Sequence, residues 1–366
     1  MCPGGASILT GSQDIRIEAI RVRDLQDFTR RAVENLRGDQ TIPLTPQRAL
    51  AYAANPCASE TDIGLLVAYC QDKCAGYLGI MPGRLLVDDA LYPVYWFSTW
   101  FVPPEFRSTG VAVRLLSRAL TLDYDLAVTG TSQQADRVYR ALGFREVGPL
   151  RFKRLRLPGN ALLKRYAYGV LLRPYRSALK EIATRQVARL SEGFHPPLTV
   201  DKGNPCFYRD VSVVNWMLEH PWILETARNP GPVSSYAFSD RRDRFRYVAM
   251  EIHGARADDL KGYLVLSIST ERSRTIVKVL DFHIATDADL GLVFPLAVLK
   301  ASLQGADQID LPREVCDSAR PGALTRLLLR SEERACFLRP RDARSPLATA
   351  QENVRLSYCD GDMAFV

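Results

Sequence analysis

The 366-residue chain is 47% hydrophobic and 24% charged, with a formal net charge of +7. These proportions are those of an ordinary globular protein and exclude a largely disordered chain. No apolar run reaches the roughly 18 residues that a membrane span needs. The N-terminus, MCPGGASILTGSQD, has neither a basic n-region nor a sustained apolar h-region. A cytoplasmic protein of two domains is therefore expected. There are 8 Cys and 4 His, but no paired CxxC and no HxxxH, so no metal site is expected. Reduced thiols are the reading for all the cysteines, although Cys70 and Cys74 flank one turn.

In chain order, residues 1–14 read as a tail and IRIEAIRV (15–22) as a strand. Helical spacing of Leu25, Phe28, Ala32 and Leu36 predicts a helix over 24–36. Pro43, Pro46 and Pro56 mark 37–61 as loop-rich. IGLLVAYC (63–70) and CAGYLGIM (74–81) form a hairpin about Gln71-Asp72-Lys73. PVYWFSTWFV (93–102) is a strand, followed by a helix at about 110–122. LAVTG (126–130) is a short strand, and SQQADRVYRAL (132–142) a helix stopped by Gly143. FREVGPLRFKRLRL (144–157) is extended. The segment Ser177–Leu190 reads as a helix from the placement of Leu179, Ile182, Ala183 and Leu190.

The second half repeats this order. Strands are expected at 247–254, 261–269 and 275–285, then a helix at 289–303. A short strand follows at 307–312, a helix at 322–331 and a strand at 335–340. The strands at 93–102 and 126–130 recur at an offset of about 183 residues, which suggests a duplicated fold.

Charge is uneven. Residues 151–190 hold Arg151, Lys153, Arg154, Arg156, Lys164, Arg165, Arg173, Arg176, Lys180, Arg185 and Arg189 against one acid, Glu181. Such an excess attracts an anionic ligand, a lipid surface or nucleic acid. The simpler reading is a solvated linker face.

The most informative stretch is VPPEFRSTGVAVRLLSRAL (102–120). A strand ends at Val102, a loop carries Arg107, Ser108, Thr109 and Gly110, and a helix begins with Val111 and Ala112. Free backbone N–H groups and the positive end of a helix dipole would face a pyrophosphate there. Gly110 and Ala112 are small where such a ligand approaches the backbone. In SQQADRVYRALGF, Ala135, Tyr139 and Leu142 share a helix face. A Tyr hydroxyl, with a reference pKa of about 10, is a suitable donor to a leaving thiolate.

These residues resemble the GNAT N-acyltransferases. The pattern V-x-P-x-[YF]-R-x-x-G-x-[GA] matches Val102, Pro104, Phe106, Arg107, Gly110 and Ala112. The pattern N-x-x-A-x-x-x-Y-x-x-x-G-F matches Ala135, Tyr139, Gly143 and Phe144, with Ser132 in place of Asn. The resemblance implies an α/β (α+β) fold of two tandem GNAT-like domains, each a mixed, mostly antiparallel central sheet flanked by helices. It implies acetyl-CoA or another acyl-CoA as co-substrate, held by Phe101, Val102, Arg107, Ser108, Thr109, Gly110, Val111, Ala112 and Ser132. Tyr139 would protonate the departing thiolate after direct attack by an amine.

The corresponding junction of the second half, HIATDADLGLVF, lacks R-x-x-G-x-A and carries Asp287 and Asp289, which repel a pyrophosphate. The expected division is a tail (1–14), an acyl-CoA-binding domain (15–157), a basic helical connector (158–196) and a degenerate GNAT-like domain shaping the acceptor site (197–366). Asp281 and His283, two apart on one strand, are candidates for the general base. The stretch ALAYAANPCASETDIGLLVAYCQDKCAGYLGIMPG also resembles GNAT-type proteins of bacterial surface-polysaccharide synthesis. The expected acceptor is a small-molecule amine with anionic character: a sugar, nucleotide-sugar or amino-acid-like metabolite. No nucleic-acid partner is expected. Alternatives are an inactive scaffold of the same fold, a Fem-like aminoacyl transferase using tRNA, and peripheral membrane contact through 151–190.

Overall fold

The computed structural model describes residues 14–35, 41–191, 205–228, 235–254, 259–349 and 354–363. The first half runs β1 (Ile15–Arg21), α1 (Leu25–Glu34), α2 (Pro46–Ala53), β2 (Ile63–Cys70), β3 (Lys73–Val87), β4 (Ala90–Phe101), α3 (Val111–Leu120), β5 (Leu126–Thr129), α4 (Gln133–Ala141) and β6 (Arg145–Arg156). Between the halves come α5 (Ala161–Leu172), α6 (Arg176–Lys180), β7 (Ala183–Val187) and β8 (Cys206–Phe207). The second half adds α7 (Val211–Glu219), β9 (Leu224–Glu225), β10 (Arg241–Arg242), β11 (Arg244–His253), β12 (Leu260–Glu271), β13 (Arg274–Ile284) and α8 (Val293–Leu303). It closes with β14 (Gln308–Pro312), α9 (Arg313–Ala319), α10 (Ala323–Leu328), β15 (Leu329–Arg339) and α11 (Pro346–Thr349).

Most strands form one sheet in the order β1-β2-β3-β4-β5-β15-β6-β14-β13-β12-β11-β7, with β8 added against β3. The duplication is visible in it. In each half an antiparallel meander ends in a strand that pairs in parallel with the next: β4 with β5, and β13 with β14. The last strand of each half then crosses over. β15 lies between β5 and β6, and β6 lies between β15 and β14. The two halves therefore share hydrogen-bond ladders, and the 15–157 unit expected from sequence receives a strand from residues 329–339.

The connector also differs from expectation. The predicted helix over 177–190 stops at Lys180, and Ala183–Val187 instead pairs with β11 as an edge strand, as β1 does with β2. The segment carries Thr184 and Val187, which suit a pleated, half-covered edge. Helix α5 belongs to the second half: Tyr168 and Leu171 join its core, and the Tyr168 hydroxyl donates to the Ala306 carbonyl at 2.9 Å. Much of the local positive charge is neutralised across the structure, with Arg154 on Asp310, Lys164 on Asp307, Arg185 on Glu251 and Arg189 on Glu219.

Three hydrophobic clusters result. One packs α3 and α4 on the sheet of the first half. One packs α5, α8 and α9 on that of the second. The third lies on the opposite face, spans both halves, and takes in Tyr52, Trp96, Trp222, Tyr263, Tyr358 and Met363. None of the seven described cysteines is in a disulfide, and Tyr69, not Cys70, stands opposite Cys74. No described helix is long and apolar enough to cross a membrane.

Candidate functional site

The parallel pairing of β4 and β5 lasts for Tyr95↔Leu126, Trp96↔Ala127 and Phe97↔Val128. Beyond that rung β4 continues to Phe101 with partners only on β3, while β5 keeps its pairing with β15. The two strands part, and the motif residues gather at the opening. Val102 is buried and Phe101 partly so. A single 3-10 turn at Pro104–Phe106 leads to Gly110, which N-caps α3 at φ +82°. That left-handed conformation strains any residue with a Cβ.

No protein atom lies within 4 Å of where a Cβ on Gly110 would sit, so the space before the helix is open. Helices α2, α4, α5 and α7 are capped by the side chains of Thr45, Ser132, Asn160 and Asp210; α3 has no side-chain cap. Its first amides and the positive end of its dipole therefore face outward. Gly76 of β3 lets the helix start close to the sheet, since a Cβ there would stand 2.9 Å from Val111 Cγ1. The loop is internally braced: Thr109 Oγ1 donates to the Phe106 carbonyl at 2.7 Å, and Arg107 Nε to the Val102 carbonyl at 3.3 Å. Ser108 is exposed. These features fit a phosphate-bearing chain laid from α3 toward the opening.

Tyr139 is brought to the same region by α4. Its side chain is 2% exposed, its ring lying 5.1 Å from Phe144, 5.8 Å from Trp100 and 6.2 Å from Phe97. Burial, with Asp362 and Asp136 nearby, pushes its phenol well above the ordinary value. Burial thus disfavours the phenolate, and the near match to a thiol expected of an unperturbed tyrosine is lost. Ser132 takes a different position in the argument: its Oγ accepts from the Ala135 amide at 3.3 Å and caps α4.

Asp281 and His283 lie on β13 beside the third cluster. Asp281 accepts from Arg209 at 3.3 and 3.4 Å and from the Tyr263 hydroxyl at 3.1 Å. Its carboxylate is thereby held in an ion pair. The His283 imidazole is pushed down by burial, with Asp281 opposing.

Sequence reasoning missed a group on the other face of the opening. Arg48 of α2 is 2% exposed and lies 4.3 Å over the Trp222 ring and 5.0 Å from that of Tyr236. Its Nε and Nη1 make no hydrogen bond. The Tyr52 hydroxyl bonds Ser98 Oγ on β4. The C-terminal segment returns to this place, where Arg209 also holds Asp360. No local motif announces these residues, because sequence positions far apart supply them.

Among the described residues, no group of His, Cys, Asp or Glu is arranged to hold a metal ion. The second junction offers a contrast. A 3-10 helix over Asp287–Leu292 precedes α8, Thr286 caps it by accepting from the Asp289 amide, and Asp289 lies 3.8 Å from Lys261.

No protein-family model and no curated protein matches the chain. Solved structures do. A conserved protein of unknown function from Enterococcus faecalis V583, described as a probable N-acyltransferase, superposes with a TM-score of 0.50 at 10% identity, over 90% of this chain and 73% of that one. A GCN5-related N-acetyltransferase from Anabaena variabilis ATCC 29413 gives 0.49 at 15% identity, over 90% and 73%. A tandem GNAT protein from the clavulanic acid biosynthesis pathway gives 0.48 at 12% identity, over 91% and 100%. At such identities the likeness bears on the fold alone: this chain is α/β, with two similarly ordered halves joined through one mostly antiparallel sheet flanked by helices.

Proposed function

We propose that the chain is an acyl-CoA-dependent N-acyltransferase working through its first half. The observation that carries this reading is the uncapped N-terminus of α3, with Gly110 left-handed beside it, set at the parting of β4 and β5. The 107–112 loop would hold the pyrophosphate, with Arg107 and the amides of Val111 and Ala112 facing it. The edge of β4 left unpaired beyond Phe97 would bind the amide-bearing pantetheine arm near Phe101 and Val102. Ser132 would then act indirectly, by fixing α4 and hence Tyr139. The amine attacks the thioester carbon directly, and the Tyr139 hydroxyl donates to the sulfur as the C–S bond breaks.

Acetyl-CoA is the expected donor and a small-molecule amine, sugar-like or amino-acid-like, the expected acceptor. The ion pairs of Arg154, Lys164, Arg185 and Arg189 leave less of the basic segment to attract an anionic acceptor than its composition implied. Calorimetric titration with acetyl-CoA, with tRNA in parallel, tests the reading. Saturable acetyl-CoA binding supports it; binding of tRNA without acetyl-CoA would replace it with the aminoacyl-transfer reading.

A further inference from the structure

An amine acceptor reaches an acyltransferase mostly as its ammonium, which has no lone pair to offer. A group on the acceptor side of the sheet must take a proton before the C–N bond can form. Tyr139 does not serve, since it is protonated and lies on the cofactor side with Phe97 and Phe144. Asp281 is engaged by Arg209 and Tyr263.

The C-terminal segment supplies a carboxylate at the required place. Gly361 sits on the Trp96 indole so closely that a Cβ would fall 2.9 Å from its Cε3. Two residues on, Met363 Sδ lies 3.7 Å from Thr129 Oγ1. Trp96 belongs to β4 one residue before the last rung with β5, and Thr129 to β5 one residue after it. Asp362 is thus held between contacts to both strands at the point where they part. Asp360 anchors the segment from the other side through Arg209, which also binds Asp281. Resting on the acyltransferase reading above, we infer that Asp362 is the general base that deprotonates the acceptor ammonium, so that the C-terminal segment completes the acceptor side of the site.

The charges around it suit that task. Burial pushes the Asp362 carboxyl up to about 7, against the pull of Arg48 on α2 and Arg334 on β15. Tyr52 of α2, Tyr139 of α4 and Tyr236 also feel its charge. Part of the residue remains open to solvent, so a proton can leave. In the step itself, the ammonium gives one proton to Asp362 and the freed lone pair forms the C–N bond. The C–S bond breaks, and sulfur takes the Tyr139 proton. The second nitrogen proton goes to water as the amide forms, water restores Tyr139, and Asp362 releases its proton to solvent, leaving one proton released overall.

The test needs no known acceptor. In the full-length protein with ¹³Cγ-labelled aspartate, one carboxyl resonance should titrate near neutral pH, vanish in Asp362→Asn, and move on addition of acetyl-CoA. Acetyl-CoA hydrolysis, with water as acceptor, should fall at least about ten-fold in Asp362→Asn and lose its acidic limb. Asp362→Glu should recover part of the rate, and acetyl-CoA affinity should stay within about two-fold in both variants. A resonance titrating in the ordinary carboxylate range, or indifferent to acetyl-CoA that calorimetry shows to be bound, overturns the assignment. So does a pH profile unchanged in Asp362→Asn. Absence of acetyl-CoA binding to the native protein overturns the acyltransferase reading itself, and the assignment with it.

Discussion

The two strand-to-helix junctions occupy equivalent places in the duplicated sheet and have opposite chemistry. After β4, a left-handed glycine opens an uncapped helix with no acid in its first turn. After β13, Thr286 caps the 3-10 helix and Asp289 adds negative charge, and α8 follows with no side-chain cap of its own. The strands part after three rungs in both halves. Parting therefore belongs to the fold, and the anion binding proposed for the first half to the few residues that follow. The two halves share a scaffold and differ at its ends: the first carries the proposed donor site, while the second contributes the strand β15 and Arg209, which holds Asp360.

The most drastic way to break the comparison is to separate the halves. A fragment of residues 1–157 lacks β15, so β5 and β6 lose the strand between them. The expectation is loss of cooperative unfolding, read by circular dichroism on heating. A fragment that melts cooperatively would show that the crossing strands are ornament.

Next in size is Tyr139→Phe, which keeps the ring against Phe144 and removes the donor. The expected drop in kcat lies within or somewhat below about 10²–10⁴-fold, with acetyl-CoA affinity nearly unchanged. Full kcat with chemistry rate-limiting would make Tyr139 a packing residue.

Gly110→Ala sharpens the contrast at the junction. The new Cβ meets no protein atom, so the cost comes from the positive φ alone, about 1–2 kcal/mol. Both Tm and acetyl-CoA affinity should fall. Gly291→Ala, in the 3-10 helix before α8, should leave acetyl-CoA affinity alone. Equal losses of affinity at both places would contradict the asymmetry.

The smallest effect concerns the edge strands. Burial raises the Glu251 carboxyl, but hydrogen bonds from Ser191 and Arg185 overcome it, and the net shift is downward. A carboxyl lowered in the folded state stabilises above its unfolded pKa of about 4.3, and that support is lost on acidification. Arg185 is exposed, so screening keeps the effect small. Arg185→Met should lower Tm slightly at pH 7, by an amount that shrinks toward pH 3. A deficit that grows on acidification would show that the pair is not its cause.

Much of the local structure at the proposed donor side was legible because its signals are local. A strand, a glycine turn and a helix start lie within twenty residues, and Ala135 and Tyr139 of α4 pack in one cluster with Leu142, its C-cap residue. Helix α2 was missed within the stretch read as loop-rich: Thr45 caps it and Pro46 occupies its first turn, but the surrounding prolines made the region look like loop. The crossing of β6 and β15 was not readable. Alternation says which face a strand buries and not which strand lies beside it. Asp362, Arg48 and Arg209 escaped for the same reason: their meaning lies in the burial and charge supplied by residues on other elements, far from them in sequence.

The most direct measurement is a crystal structure of the full chain with acetyl-CoA. The account predicts one molecule per chain, its pyrophosphate on the amides at 110–112, its thioester at the parting of β4 and β5, and its sulfur within reach of the Tyr139 hydroxyl. A molecule bound against residues 285–292, or two equivalent molecules per chain, would contradict it.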